Sequence, residues 1–270
     1  MNGRDSSGGS STPRSKGHLN PGESAPISRY PVEPDLASYV RHFWIPEWEL
    51  PEGASVTARV LGYPTLNLVV DPTGVLVTGP TRRESQRVLS GRGWAVGVLL
   101  QPAATPALGY DAEQLVDSGR PLDEPELQGS VVAAMDRPGE REGRHAAAVA
   151  VMTAWLRDRL GPVTDQGLLA NRAVELVEGD PTLTRVSELT ERLHVSGRTL
   201  QRAVRRCTGF TPAEVVRRRR LQEAADRLRR GESDDLSTVA QEVGYADHAH
   251  MTRDFRTALE EPPSQFRRHR

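Results

Sequence analysis

The chain has 270 residues, 35 basic against 36 acidic side chains and a single cysteine. This length corresponds to about two domains. A lone Cys207 excludes an internal disulfide and a metal site built from cysteines alone, and it is typical of a reducing, cytoplasmic setting. The longest apolar stretch, residues 146–156, is shorter than the roughly 20 residues of a membrane-spanning helix, and the N-terminus lacks the apolar core of a secretory signal. We therefore expect no membrane partner.

The first half of the chain contains three successive sequence patterns: a polar tail, a segment with helical spacing and a series of short apolar runs. Residues 1–28 are rich in Ser, Gly and Pro, which predicts a disordered tail. Apolar side chains between Asp35 and Trp44 follow helical spacing and predict a helix. Short runs rich in Val and Leu, separated by turns containing Pro, Gly and Asp, then predict a five-stranded meander in a small barrel or sandwich. These runs are 55–61, 65–71, 74–78, 86–90 and 94–100.

Helical patterns return after Asp111. In residues 146–160 the apolar side chains Val149, Met152, Leu156 and Leu160 share one face, which suits either a dimer seam or packing on the chain's own β-rich domain. Gly161 and Pro162 end this pattern, so the predicted organisation is a β-rich domain over 29–160 with C-terminal helices, a linker over 161–166 and an all-helical domain over 167–270.

The helical domain contains an internal repeat. Leu189 to Pro212 and Val239 to Pro263 align with an offset of 50 residues before the tight turn and 51 after it. Each copy reads as a short helix, a turn, an N-cap (Ser196 or Asp247), a second helix and a third helix begun by proline. Two tandem helix-turn-helix units are therefore predicted, joined by a helix over 212–230.

The region 196–230 is strongly basic, with 11 Arg against 3 acids, a net charge of +8. In the second helix of the first copy, Leu200, Ala203, Val204 and Cys207 fall on one face, and Arg198, Gln201, Arg202 and Arg205 fall on the opposite face. Arg and Gln can pair with guanine and adenine edges in the major groove. The alternative is a solvated face, because the chain uses 34 Arg against one Lys throughout.

Shifting this pattern by 51 residues assigns the second copy. Met251, Phe255 and Ala258 are expected to face inward, and Ala249, Thr252, Arg253 and Arg256 outward. The arginines at 217–220 lie on the connecting helix, cannot all face a groove, and are expected to reach at most a phosphate.

The segment Val239–Arg267, with Val243-Gly244-Tyr245, Asp247 and Pro263-Ser264-Gln265-Phe266, resembles the signature of AraC/XylS-type transcriptional regulators. The upstream residues Ser196 to Leu221 resemble the first helix-turn-helix of that family. The resemblance implies a seven-helix domain with both recognition helices in successive major grooves of double-stranded DNA. By family position, the DNA-reading residues are Arg198, Gln201 and Arg202 in the first helix and His248, Ala249, His250, Thr252 and Arg253 in the second.

The chain departs from the family pattern at several turns and core positions. Glu260 stands where the family usually has Gly, which predicts a strained turn, and Thr190 and His194 replace the usual Ala and Gly. Val204 and Val215 replace aromatic residues, which predicts looser packing of the first unit.

The N-terminal half also resembles a β-rich sensor domain found in some of these regulators, on Tyr30-Pro31, Gly79-Pro80 and Val96-Gly97-Val98. The resemblance implies sensing or dimerisation, so a small-molecule effector, RNA polymerase and a second copy are candidate partners, and activation is the expected sign. Trp44, Trp48 and Trp94 are candidates for an effector pocket, although aromatic residues at such spacing equally build a core.

Catalytic patterns are weak. The sequence has no G-x-S-x-G, H-E-x-x-H or P-loop motif, and His248 and His250 point about 200° apart on a helix. We expect no enzyme, no metal and no cofactor. The rival hypothesis is an enzyme or small-molecule-binding protein that acts through its N-terminal domain.

Overall fold

The computed structural model describes residues 19–20, 25–231 and 235–269. Its N-terminal half is β-rich with helices, and its C-terminal half is helical throughout the described residues. This confirms the predicted α+β class with an all-α C-terminal domain. The predicted tail over 1–28 extends too far, because Ile27 and Ser28 already pair with a neighbouring strand, while residues 1–18 and 21–24 of that tail lie outside the described part.

The N-terminal domain is built on an antiparallel sheet. The strands are β1 (Ile27–Tyr30), β2 (Val40–Glu49), β3 (Ser55–Val60), β4 (Asn67–Asp71), β5 (Gly74–Thr78), β6 (Ser85–Ser90), β7 (Arg92–Trp94), β8 (Val96–Leu100) and β9 (Gly119–Leu122). Seven of them form one sheet in the order β1-β2-β8-β4-β5-β9, with β7 also paired to β2.

The predicted meander is wrong in its order, although all five predicted strands are present. Strands β3 and β6 pair with each other, apart from the large sheet, and β8 lies between β2 and β4. Only β4 and β5 form the expected hairpin, across the Asp71–Gly74 turn. Turn residues indicate where a strand ends, but they do not indicate which distant strand pairs with it.

The predicted helix from Asp35 to Trp44 is also wrong. A single 3₁₀ turn covers Pro34–Leu36, residues 37–39 form a turn, and the residues from Val40 onward belong to β2. The pairing of β2 with β8 shifts register between Val40 and His42. This bulge puts the buried Val40 and Phe43 three residues apart, a spacing that imitates a helix.

Four helices complete this domain: α1 (Ala104–Ala107), α2 (Ala112–Leu115), α3 (Pro125–Met135) and α4 (Arg141–Arg159). Met152 and Leu156 of α4 are fully buried in the core of their own domain, together with Phe43 and Val98 of the sheet. The apolar face of α4 is therefore covered by α3 and the sheet of its own domain and is not a dimer seam.

The C-terminal domain contains α5 (Asp165–Gly179), α6 (Val186–Leu193), α7 (Gly197–Thr208), α8 (Pro212–Arg230), α9 (Leu236–Glu242), α10 (His248–Leu259) and α11 (Pro263–Phe266). The repeat is confirmed as the two units α6–α7 and α9–α10, and α8 joins them. In the described part of the chain, no helix is long and apolar enough to cross a membrane.

Candidate nucleic-acid interface

Helix α7 presents one polar face to solvent. The Ser196 side chain accepts a hydrogen bond from the Thr199 amide and caps the helix at its N-terminus. Leu200, Ala203, Val204 and Cys207 are all buried, as the periodicity predicts. The opposite face, which we call the α7 stripe, consists of Arg198, Gln201, Arg202 and Arg205, and all four side chains are exposed.

Helix α10 repeats this arrangement with smaller side chains. Asp247 caps it by accepting from the His250 amide at 2.7 Å. Met251 and Phe255 are fully buried and Ala258 is nearly so. The exposed predicted residues are His248, Ala249, Arg253 and Arg256, whereas His250 and Thr252 are half-buried.

The imidazole of His250 is partly engaged inside the domain. It lies edge-on to the ring of Tyr245, with 5.2 Å between the ring centroids. Of the predicted set, the second helix therefore exposes three polar side chains, His248, Arg253 and Arg256, whereas the α7 stripe exposes four.

On the connecting helix α8, two of the four arginines that were expected to reach at most a phosphate are buried inside the protein. Arg218 and Arg219 are each 6% exposed. Arg218 donates from Nε to the Gly62 carbonyl and from Nη1 to the Thr81 carbonyl, both at 2.5 Å, and Arg219 donates to the Pro181 carbonyl. Burial lowers the pKa of Arg218 to about 10. Arg218 therefore joins the two domains and is not available to DNA.

A second contact between the domains involves the α7 stripe itself. Arg205 makes a two-pronged ion pair with Glu113 of α2, from Nε to Oε1 and from Nη2 to Oε2, both at 2.9 Å. Sequence reasoning missed this pair because the two residues are 92 positions apart and no local pattern joins them.

The N-terminal domain also contacts the end of α10. Arg59 pairs with Glu261 at 2.6 Å and with Glu84, and Arg83 pairs with Glu260 at 2.7 Å. The Glu84 amide donates to the Ala258 carbonyl. Both units of the repeat are thus in contact with the β-rich domain.

Two residues of the repeat that are not glycine occupy left-handed backbone conformations. His194, in the turn of the first unit, has φ 53°, and Glu260, after α10, has φ 58°. The strained turn expected at Glu260 is therefore present in the structure. The corresponding positions of the other unit, Gly244 and Gly209, are glycines with φ 84° and 69°.

The three tryptophans proposed for an effector pocket are separated by the structure. Trp48 and Trp94 border an open cleft of about 810 Å³ in the N-terminal domain. Trp44 does not line this cleft; its indole covers Gly97 and donates to the Asn67 side chain at 3.2 Å. The cleft also contains Arg92, Arg137, Arg141, Arg144, Glu47, Glu49, Asp136 and Met135.

The described residues contain no group of three or more His, Cys, Asp and Glu side chains that could hold a metal ion. Cys207 lies in the core behind the α7 stripe, and burial raises the pKa of its thiol to about 11.

Two capped helices with solvent-facing polar stripes, joined by one long helix, define the C-terminal half as a tandem helix-turn-helix domain. Residues 189–269 match a family of helix-turn-helix domains (HTH_18), and residues 28–120 match a domain of unknown function (DUF6597). The C-terminal half therefore contains a helix-turn-helix domain of this family.

Known relatives are similar over part of their length. The transcriptional activator RhaS of Pectobacterium carotovorum is 35% identical over 79 residues, 29% of this chain and 28% of RhaS. A putative AraC-like transcription regulator of Streptomyces lividans is 29% identical over 119 residues, 44% of this chain and 37% of that protein. The chain thus matches well under half the length of these relatives.

Among solved structures, ToxT of Vibrio cholerae aligns over 83% of this chain and 97% of its own, with 12% identity and a TM-score of 0.46. The C-terminal domain of AraT from Geobacillus stearothermophilus aligns over 40% of this chain and 89% of its own, with 23% identity and a TM-score of 0.36.

Proposed function

We propose that this chain is a sequence-specific, DNA-binding regulator of transcription that responds to a small molecule. The observation that carries the proposal is the α7 stripe. A helix whose inward face is fully buried presents three arginines and a glutamine to solvent on the other. These side chains match the hydrogen-bonding edges of guanine and adenine in the major groove.

The position of each residue along α7 decides whether it contacts a base or the DNA backbone. A recognition helix contacts base edges mainly with its N-terminal residues. Arg198, Gln201 and Arg202 occupy the first two turns, so they read bases. Arg205 lies one turn further on and contacts the DNA backbone. Arg253 takes the corresponding base-reading place in α10.

The experiment begins by selecting a duplex from a random pool with the full chain at about 150 mM salt. We expect Arg202→Ala to reduce discrimination between the selected and a scrambled duplex by about 1–3 kcal/mol. Arg172→Ala is the control, because it removes the same charge from an exposed position on α5, outside both recognition helices. Equal losses on both duplexes with Arg202→Ala would show that this residue does not read bases.

The effector is assigned to the cleft of the N-terminal domain. Among the described residues, Arg92 and Arg137 form no ion pair, and they lie in a cleft that also contains Trp48, Trp94 and Met135. These guanidinium groups lie beside an apolar wall, and the carboxylates of Glu49 and Asp136 lie in the same cleft, so the site suits a small organic molecule with an aromatic or apolar body and charged polar groups. A volume of about 810 Å³ is in the range of small-molecule sites.

Point substitutions test this site better than deletion of residues 1–160, since deletion would also uncover Arg218. We expect Trp94→Ala and Arg137→Ala to abolish an effector's influence on DNA affinity and to leave DNA binding without effector unchanged. Trp44→Phe is the control, because Trp44 lies outside the cleft. An effector response that survives both cleft substitutions would place the sensor elsewhere.

The sign of regulation follows the resemblance. RhaS is named an activator, and we propose activation here too. A reporter gene placed behind the selected duplex tests this: its expression should rise when the chain is present. Reduced expression would identify a repressor.

A further inference from the structure

We propose that Glu113 of the N-terminal domain competes with DNA phosphate for Arg205, so that one carboxylate outside the DNA-binding domain lowers the affinity of the first unit for DNA. The inference rests on the proposed DNA binding. It concerns a residue that no motif of the helix-turn-helix domain contains.

The geometry of the pair resembles that of an arginine bound to phosphate. Two parallel N–H···O bonds of 2.9 Å join the guanidinium of Arg205 to both oxygens of Glu113. Arginine makes this fork-shaped contact with carboxylates and phosphates alike. While Glu113 is in place, the donors that would contact a phosphate are therefore occupied.

The arginine belongs to the face that would meet DNA. Arg198, Arg202 and Arg205 follow one another at intervals of four and three residues, so they lie along one side of α7. Arg198 and Arg202 form no ion pair among the described residues, whereas Arg205 does. The N-terminal domain thus occupies one end of the stripe and leaves the other end open.

Helix α2, which carries Glu113, is fixed on both sides. Leu115 is buried against the sheet, and the Leu115 carbonyl lies so close to Gly79 that a Cβ there would approach it to 1.8 Å. On the other side, the end of α7 at Gly209 lies against Ala112 and Val116, where an added Cβ would come within 2.8 Å of the Ala112 carbonyl. Glu113 is therefore held beside Arg205 by packing on its neighbours.

The pair is also exposed enough to exchange. The side chains of Arg205 and Glu113 are 51% and 48% accessible. Exposed ion pairs are weak, and phosphate can replace the carboxylate without a large rearrangement. A ligand of the N-terminal domain that moved α2 away from α7 would raise the affinity for DNA. The gain would be at most the factor by which Glu113 lowers that affinity.

The test measures the affinity of the full chain for the selected duplex and for a random-sequence duplex at one salt concentration. We expect Glu113→Gln to raise affinity for both duplexes by about twofold to fivefold, because the contact released is to phosphate. Arg205→Ala should lower affinity for both. In the Arg205→Ala background, Glu113→Gln should change affinity by less than about 1.5-fold, since no donor remains to be released.

Glu260→Gln is the matched control. It removes the same charge and breaks a contact between the domains, to Arg83, which is not part of the α7 stripe. A gain with Glu113→Gln that equals the gain with Glu260→Gln, or that persists without Arg205, would overturn the competition. Failure of the wild-type chain to bind any duplex would instead overturn the proposed function.

Discussion

The two helix-turn-helix units share one topology but are completed by different parts of the chain. The core of the first unit combines Leu189, Leu200 and Val204 with Ala173 and Val177 of α5, a helix of the same domain, and among the described residues the N-terminal domain adds only the half-buried Val116. The core of the second unit combines Val239, Met251 and Phe255 with residues from the N-terminal half, Leu61 and Leu19. Leu61 is fully buried there.

The units also distribute their glycines in opposite ways. The first has His194 in its turn and Gly209 after its recognition helix, whereas the second has Gly244 in its turn and Glu260 after its recognition helix. All four residues adopt positive φ. Each unit therefore has one left-handed position that a glycine occupies without strain and one that costs about 1–2 kcal/mol.

This comparison shows that a sequence repeat need not produce two equivalent units. The first unit has its own supporting helix, and its α7 stripe exposes four polar side chains against three on α10. The second unit relies on the β-rich domain for part of its core. We therefore expect the second unit to lose structure whenever the two domains separate, and the first unit to remain folded.

The largest expected effect comes from Leu61→Ala. Removing a fully buried leucine should cost about 2–5 kcal/mol of unfolding free energy. Although Leu61 belongs to the N-terminal half, hydrogen exchange should show the loss of protection in α9 and α10, with α6 and α7 nearly unchanged. Leu68→Ala is the control, because Leu68 is buried in the core of the N-terminal domain. Equal loss in both units would contradict the comparison.

The isolated fragment 167–270 tests the same difference in stability between the two units. It contains both repeats and should fold at least in its first unit. Its second unit lacks Leu61, and Arg218 loses the Gly62 and Thr81 carbonyls. We expect protection from hydrogen exchange in α6 and α7 but reduced protection in α9 and α10. Full protection of both units would show that the β-rich domain is dispensable for the second.

The next largest effects are expected from alanine at Gly209 and Gly244, which should destabilise the two units to different extents. Gly209→Ala introduces a Cβ 2.8 Å from the Ala112 carbonyl, in addition to the left-handed backbone, so we expect a loss of more than about 2 kcal/mol. Gly244→Ala meets the methyl group of Thr184, which can rotate, and should cost about 1–2 kcal/mol. Urea unfolding of both variants measures the difference. A larger loss at Gly244 would mean that the backbone contact at Ala112 yields easily.

Glycine at the two strained positions should have a smaller effect of opposite sign. His194→Gly and Glu260→Gly each relieve a left-handed residue but add freedom to the unfolded chain, so a net gain of up to about 1 kcal/mol is expected. Thermal unfolding of each variant provides the measurement. Glu260→Gly also breaks the exposed pair with Arg83, which is worth little. Destabilisation by His194→Gly would show that its side chain contributes more than its backbone costs.

The smallest effect should be seen at Cys207, the counterpart of Ala258 in the second unit. Its thiol is buried, and burial raises its pKa to about 11, so a thiol reagent at pH 8 should label the native chain very slowly. Leu61→Ala should leave this labelling rate unchanged, because it loosens the other unit. Faster labelling in that variant would show that the two units open together.

The sequence alone determined the repeat, its caps and the faces of both recognition helices. Ser196 and Asp247 are the caps that the pattern predicts, and the buried positions of α7 follow the predicted spacing from Leu200 to Cys207. These features depend on neighbours three or four residues apart, and the helical period fixes those neighbours whatever the rest of the fold does.

Only the tertiary structure decided which residues of distant segments meet. The bulge in β2 turned an apparent helix into a strand, the pairing of β3 with β6 replaced a meander, and Arg218 became a contact between domains. The Glu113–Arg205 pair and the packing of Leu61 in the second unit are also contacts between residues that are distant in sequence. Strand pairing and domain contacts join residues tens of positions apart, and local periodicity carries no information about such partners.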